Sequence, residues 1–125
     1  MLVPMGSETS EEPPVETRFQ PVTTIGTTTQ ALEPDSPSTR SVPLTTAGDR
    51  EIGIWEVDPG IEHDVEVDEV FVVLSGRATI TVEGHAPVVV GPGDVVHLAE
   101  GVETTWEVHE RLRKIYIAAS DEPLG

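Results

Sequence analysis

From Glu51 onward, short apolar runs alternate with turns that contain glycine or other polar residues. Valine and isoleucine dominate these runs and favour strands, because a branched Cβ packs well on a pleated surface. No window shows helical periodicity over two or more turns. The pattern therefore predicts an all-β domain of about 75 residues, built as a sandwich or barrel. Its predicted strands are 52–57, 69–74, 78–82, 87–90, 95–98, 104–108 and 112–118.

The chain before this domain has a different amino-acid composition. Residues 1–49 are rich in Thr, Ser, Pro and Glu, with Phe19 as their only aromatic residue. Such a composition buries too little apolar surface to offset chain entropy, so residues 1–15 are predicted to be a disordered acidic tail. Residues 16–48 are predicted to be an extended segment, which the 49–119 domain and a 120–125 tail follow. Proline-tolerant edge strands are expected at 18–22 and 41–44.

Charge narrows the classes of partner. The 125 residues include 23 acidic and 7 basic side chains, a formal net charge of −16. Nucleic-acid binding depends on Lys and Arg neutralising phosphates, and docking on anionic membranes depends on the same side chains. Neither partner is expected, and the charge is interpreted as favouring solubility.

Redox chemistry and location follow from what the sequence lacks. It has no cysteine, which excludes disulfides and thiol chemistry. No apolar run approaches the roughly 18 residues of a membrane span. The first residues, MLVPMGSETSEEPP, have neither the basic nor the apolar region of a secretory signal. A cytoplasmic protein is therefore expected.

Two short sequence patterns that contain glycines at fixed spacing resemble the paired motifs of the cupin superfamily. They are Glu69-x6-Gly76 and Gly93-x5-Ala99-x-Gly101-x2-Thr104. Within that superfamily the chain resembles the subfamily of (S)-ureidoglycine aminohydrolase and the ethanolamine-utilisation cupin. The resemblance implies a double-stranded β-helix, the cupin jelly roll. The elements shared with the subfamily are Trp55-Glu56, Pro59-Gly60, Asp68-Glu69, Leu74-Ser75-Gly76, Trp106 and Arg113-Lys114-Ile115-Tyr116.

In metal-binding cupins, two histidines and a glutamate of the first motif and a histidine of the second hold one divalent ion. With a three-residue gap before the glutamate, these positions are His63, Val65, Glu69 and Thr104. His63 and Glu69 are then the candidate metal ligands, although catalytic sites usually use three or more. The metal implied would be Mn, Zn, Fe or Ni, and the incomplete set favours no tightly bound metal.

A four-residue gap gives a different set. Glu62 and Asp64 would then join Glu69 as oxygen ligands, which suit Mg, Ca or Mn. Strand alternation opposes this set, because Glu69 and the even-numbered acids would lie on opposite faces. An unbroken strand with Glu69 inward also turns His63, Val65 and Val67 inward. The acids expected in solvent are then Glu62, Asp64, Glu66 and Asp68.

Glu69 is the candidate catalytic acid–base group. The alternative is a buried carboxylate held by a basic or phenolic side chain, for which Lys114 and Tyr116 are candidates by analogy with the subfamily. Among the histidines, His97 is expected to be packed and hydrogen-bonded. His85 and His109 are expected in turns.

Trp55 and Trp106 either fill the core or form a pocket wall that stacks on a small planar or sugar-like ligand. The candidate ligand-binding residues are Trp55, Glu56, Phe71, Thr104, Trp106, Lys114 and Tyr116.

Two functions remain open from the sequence. One is a cupin with a degenerate metal site that binds a small polar metabolite in its barrel. The alternative is a metal-dependent, aminohydrolase-like enzyme acting on a small nitrogenous or carboxylated metabolite. In either case the expected partner is a small molecule. The resemblance also implies a homodimer, for which the 16–48 segment is a candidate source of an edge strand.

Overall fold

The computed structural model describes residues 21–119, which form eight strands and no helix. The all-β prediction is therefore confirmed. No helix in this part of the chain could cross a membrane. The strands are β1 (Glu33–Pro34), β2 (Thr39–Ala47), β3 (Arg50–Val57), β4 (Gly60–Val65), β5 (Glu69–Val82), β6 (Val88–Val90), β7 (Val95–Leu98) and β8 (Glu103–Ala119).

Two long strands, β5 and β8, run through both layers of the fold. The first part of β5 pairs with the second part of β8, and β3 and β7 flank that pair. The second part of β5 pairs with the first part of β8, flanked by β6 and β4. Every pairing is antiparallel, and β2 extends the first layer beyond β3. The result is a jelly roll whose layers share two continuous strands.

The residues expected to separate strands in β5 and β8 lie within them instead. Ser75 and Gly76 are part of β5, and His109 lies within β8 rather than in a turn. Gly76 has a φ of 92°, and a Cβ there would overlap the Arg111 carbonyl on the neighbouring strand. A glycine is needed because the two backbones approach closely in a conformation that other residues rarely adopt.

Register shifts around Gly76 change which residues of β5 face inward. Phe71 and Val73 are buried before the shift, whereas Ala78 and Ile80 are buried after it. A bulge of this kind lets one strand serve two layers, since it bends the strand and reverses the alternation.

The core lies between the layers. Trp106, on the second layer, packs against Phe71 of the first layer, with ring centroids 5.6 Å apart. It also meets Trp55 edge-on at 6.0 Å. Apolar burial around these rings is the main stabilising contribution to such a domain. The largest of the fully buried side chains are Ile54, Val57, Phe71, Val73, Val90 and Leu112.

The predictions for the segment before the domain have separate outcomes. Residues 41–44 lie in β2, as expected, and β2 pairs with β3 along most of its length. Pro21 and Val22 are not in a strand, and residues 18–20 lie outside the described part of the chain. The predicted tails, 1–15 and 120–125, lie outside it as well.

Candidate functional site

The inner face of β3 and β8 carries the residues that line a pocket. Antiparallel pairing places Trp55 opposite Lys114, and Gly53 opposite Tyr116. Side chains alternate along each strand, so Glu56, which follows Trp55, points to the outer face. The pocket has a volume of about 440 Å³ and is also lined by residues of β2, β4 and β5.

Lys114 and Glu69 form a buried ion pair at the inner end of this pocket. The Lys114 ammonium donates to Glu69 Oε2 at 2.6 Å, and the two side chains are only 7% and 11% exposed. The same ammonium lies 4.3 Å from the ring centroid of Phe71, 4.6 Å from that of Trp55 and 5.0 Å from that of Trp106. Aromatic faces attract a cation, so the three rings and the carboxylate all make favourable contacts with the Lys114 ammonium inside the barrel.

Of the two expected partners of Glu69, Lys114 is therefore present, whereas Tyr116 bonds elsewhere. The Tyr116 hydroxyl donates to Glu51 at 2.6 Å. Burial, reinforced by Glu51, raises the pKa of Tyr116 far above its usual value, so the phenol stays a neutral donor. Its ring lies against Gly53, where any Cβ would overlap the hydroxyl. Glycine at this position therefore allows the tyrosine to reach Glu51.

Glu66 is a buried acid that sequence reasoning placed in solvent. It is only 7% exposed. Its Oε2 accepts the Thr104 hydroxyl at 2.5 Å and the Trp106 indole N–H at 3.2 Å. Burial raises the pKa of Glu66 above its usual value, and these two hydrogen bonds only partly oppose that rise.

The predicted alternation between residues 62 and 69 is wrong. Glu62 pairs with Trp106 and Asp64 with Thr104, and both of these partners on β8 are buried. Paired residues share a face, so the even-numbered acids of β4 point inward and line the pocket. Val65 is 62% exposed instead of inward.

The physical reason is a break in the strand. β4 ends at Val65 and β5 begins at Glu69, with irregular backbone between them. Alternation cannot be counted through such a segment, because it holds only along a continuous strand. Glu66 and Glu69 therefore both face the interior despite their opposite parity. No signal in the local sequence located the inward acids, because their orientation depends on the register of β4 with Thr104 and Trp106.

The predicted ligand-binding residues divide into three groups. Trp55, Trp106, Lys114 and Tyr116 all line the pocket. Phe71 is fully buried behind Trp106, and Thr104 holds Glu66 rather than lining this pocket. Glu56 lies outside the barrel altogether. The pocket also has lining residues that were not among the predicted ligand-binding or metal-binding residues, namely Ser36, Thr39, Ser41, Glu66 and Ala118, together with Glu62 and Asp64 from the disfavoured oxygen-ligand set.

On the outer face, Glu56 bridges two arginines. It accepts from Arg40 at 2.9 Å and from Arg113 at 3.2 Å. Burial alone would raise the pKa of Glu56, but these hydrogen bonds lower it below its usual value. Arg113 also donates to the backbone carbonyls of Thr28 and Gln30, at 2.9 and 3.0 Å. Glu56 therefore ties β2, β3 and β8 to the segment that precedes β1.

The residues at the four metal-ligand positions do not fit the site that the resemblance implies. His63 bonds the Thr105 hydroxyl at 3.1 Å, and Glu69 is paired with Lys114. Val65 faces solvent, and Thr104 donates to Glu66. Within residues 21–119, no three His, Asp or Glu side chains lie close enough to hold a metal ion.

The other histidines lie away from the pocket. His97 is hydrogen-bonded to Asp68 at 2.9 Å, as expected, but its side chain is 60% exposed rather than packed. His109 bonds the Thr79 hydroxyl at 2.8 Å across β8 and β5. His85 follows β5 in a turn, as predicted.

Comparison with protein families gives a match over most of the β domain. The profile of the EutQ-like cupin domain matches residues 44–116. No curated protein was found to match the sequence.

Solved structures extend the likeness. A protein of unknown function from Rhizobium leguminosarum bv. viciae 3841 is 25% identical, with a TM-score of 0.62 over 68% of this chain and 84% of its own. The EutQ protein of Clostridium difficile is 19% identical, with a TM-score of 0.60 over 68% of this chain and 70% of its own. A putative ethanolamine utilization protein from Salmonella typhimurium LT2 is 21% identical, with a TM-score of 0.57 over 65% and 68%. These likenesses support the jelly-roll fold.

Proposed function

This chain belongs to the EutQ-like cupin domain family, and we propose that it binds a small polar metabolite inside the barrel without a metal cofactor. The observation that carries the proposal is the pocket of about 440 Å³ between β2, β3, β4 and β8. A volume of this size suits a small metabolite, since ligand pockets commonly range from about 300 to 1,000 Å³.

The lining supports binding of a polar molecule. Trp55 and Trp106 offer rigid aromatic surface, and the hydroxyls of Thr39, Ser41 and Tyr116 offer donors and acceptors. A few convergent polar groups on an aromatic wall are what fixes the orientation of a small ligand.

A metal-free site is favoured by what the expected ligands do. Glu69 is neutralised by Lys114, whose ammonium supplies the positive charge beside that carboxylate. Elemental analysis of protein purified without chelator tests this part of the proposal. Stoichiometric Mn, Zn, Fe or Ni that disappears in Glu69→Gln would replace the proposal with the metal-dependent enzyme.

Binding is tested by titrating intrinsic tryptophan fluorescence with a library of small neutral, anionic and cationic metabolites. At least one compound should give a saturable change, because Trp55 and Trp106 border the pocket. Ser41→Phe should abolish that change by filling the pocket from β2. Thr46→Phe, at an exposed position of the same strand, is the matched control and should leave it intact. A library with no saturable hit would overturn the proposal.

A further inference from the structure

The pocket is lined by an excess of negative charge. Its carboxylates are Glu62, Asp64, Glu66 and Glu69, and Lys114 is its only lysine or arginine among the described residues. Lys114 is committed to Glu69 at 2.6 Å. The other three acids have no salt-bridge partner in residues 21–119. Glu62 accepts only the Ser38 hydroxyl, at 3.3 Å.

Glu66 is the buried one of these three unpaired acids, and only one of its two carboxylate oxygens accepts hydrogen bonds. Both of its hydrogen bonds end on Oε2, and Oε1 accepts none from the described residues. The residue as a whole is 93% buried. A buried carboxylate oxygen needs a donor, because leaving it without one costs the desolvation of a charged group. Glu66 therefore presents one unfilled acceptor inside the barrel.

The aromatic wall is already used to hold a cation. Trp55 and Trp106 lie 4.6 and 5.0 Å from the Lys114 ammonium. Their π-electron faces favour positive charge over negative charge. The faces that Lys114 occupies are not free for a second cation, so the unpaired carboxylates are what select for positive charge in a ligand.

We propose, on the basis of the proposed function, that the metabolite is a small organic cation, an alkylammonium or guanidinium compound, whose charged nitrogen donates to Glu66. Glu62 and Asp64 add negative potential on the β4 side of the pocket. The carboxylates are too dispersed for a three-ligand metal site. They instead suit an ion with several N–H donors, which can reach more than one of them. An anionic metabolite would face the unpaired acids and is disfavoured.

Pairs of similar shape and different charge test this assignment. Calorimetric titrations compare methylguanidinium with N-methylurea, and n-butylammonium with butyrate. Each cation should bind at least about tenfold more tightly than its counterpart, as expected for a hydrogen bond to a charged group. Its affinity should rise with pH as Glu66 ionises, and should fall with added salt.

Variants that each remove one negative charge show which carboxylates contribute to cation binding. Glu66→Gln keeps the shape of the side chain and should weaken cation binding by about tenfold or more. Asp64→Asn, at an exposed position that tolerates change, should weaken it by about threefold. Glu107→Gln removes the same charge from the outward face of β8 beside Trp106 and should leave the affinity unchanged.

The outcomes separate this inference from the function on which it rests. If neutral or anionic compounds bind as tightly as the cations, or are the only hits in the metabolite library, the cation assignment is overturned and small-molecule binding stands. If Glu66→Gln and Asp64→Asn both bind the cations as the parent protein does, the assignment also fails. If no compound of any charge binds, both proposals fail.

Discussion

The two faces of β3 and β8 hold charge in opposite ways. On the outer face, Glu56 lies between Arg40 and Arg113, and Asp58 accepts from Arg40 and Arg111. On the inner face, Lys114 follows Arg113 along β8 and forms an ion pair only with Glu69. The other pocket acids have no cationic partner among the described residues. The outer network is therefore balanced, whereas the inner face of β3 and β8 meets an unbalanced cluster of acids contributed by β4, β5 and the segment between them.

This difference separates structural charge from charge that is available to a ligand. The outer carboxylates have guanidinium partners, which fix three strands and the segment before β1. The unpaired inner acids make a folded protein less stable, since like charges repel and a buried carboxylate is poorly solvated. Charged residues that lower the stability of the folded protein are often found in concave binding sites, where they serve a ligand.

The largest effect is expected from breaking the inner ion pair. Lys114→Met preserves the length of the side chain but leaves Glu69 as an uncompensated buried charge. We expect a loss of about 3–5 kcal/mol in the free energy of unfolding. Urea denaturation at pH 7 measures this loss.

The matched control for that variant removes both charges. Lys114→Met combined with Glu69→Gln should recover a large part of the loss, because no buried charge then lacks a partner. A single variant as stable as the parent protein would show that the pair is not buried as described.

A smaller effect is expected outside the barrel. Glu56→Gln should cost about 1–2 kcal/mol, because two charge-assisted hydrogen bonds are weakened at a partly buried site. The folded state lowers the pKa of Glu56, so the ionised group stabilises the protein at neutral pH. The difference between parent and variant should therefore shrink as the pH falls through that lowered pKa.

Unfolding curves at pH 3 to 7 would measure the trend. Glu110→Gln, on an exposed acid 3.7 Å from Arg77, is the control and should change stability by no more than about 0.3 kcal/mol. Equal losses for the two variants would remove the distinction between the outer network and an ordinary surface pair.

The smallest effect should have the opposite sign. The folded state raises the pKa of Glu66, so the group stabilises the protein below its unfolded pKa and this contribution is lost as the pH rises through the folded pKa. Glu66→Gln should accordingly be more stable than the parent protein at pH 8, by about 1 kcal/mol.

The advantage of Glu66→Gln should vanish at about pH 3, below the ordinary pKa of a glutamate, where Glu66 is protonated in both states. Parallel denaturation of the parent, the variant and Glu107→Gln at both pH values checks this. A Glu66→Gln protein less stable than its parent at pH 8 would contradict the description of Glu66 as a destabilising acid.

Composition and periodicity were sufficient for the all-β class, and the resemblance to the cupin motifs supplied the jelly roll, but neither gave the orientation of every side chain. The Val- and Ile-rich runs located most of the strands, because branched residues fit a pleated sheet, but β4 was not among the predicted strands. They could not show that Gly76 lies inside β5, since a glycine that permits close backbone approach has the same sequence signature as a turn. A carboxylate inside a barrel needs a partner, and the resemblance to the subfamily offered Lys114 and Tyr116, of which the structure shows Lys114.

The acids between residues 62 and 66 required the structure. Their orientation depends on where β4 stops and on its register with β8, and both are set by tertiary contacts rather than by the local sequence. The error at Glu56 has a different origin. It was assigned to the pocket together with Trp55, although alternation within β3 already predicts that these adjacent residues face opposite ways.

The position of β8 in the chain affects when the protein can fold during its synthesis. β8 is the last of the described strands, and it pairs with β3, β4 and β5. During synthesis, Trp55 and Glu69 leave the ribosome well before the strand that carries Lys114 and Trp106. Contacts so distant in sequence form slowly, because loop closure precedes any gain from pairing. The barrel therefore closes, and its pocket first exists, only once the strand carrying its single lysine has been made.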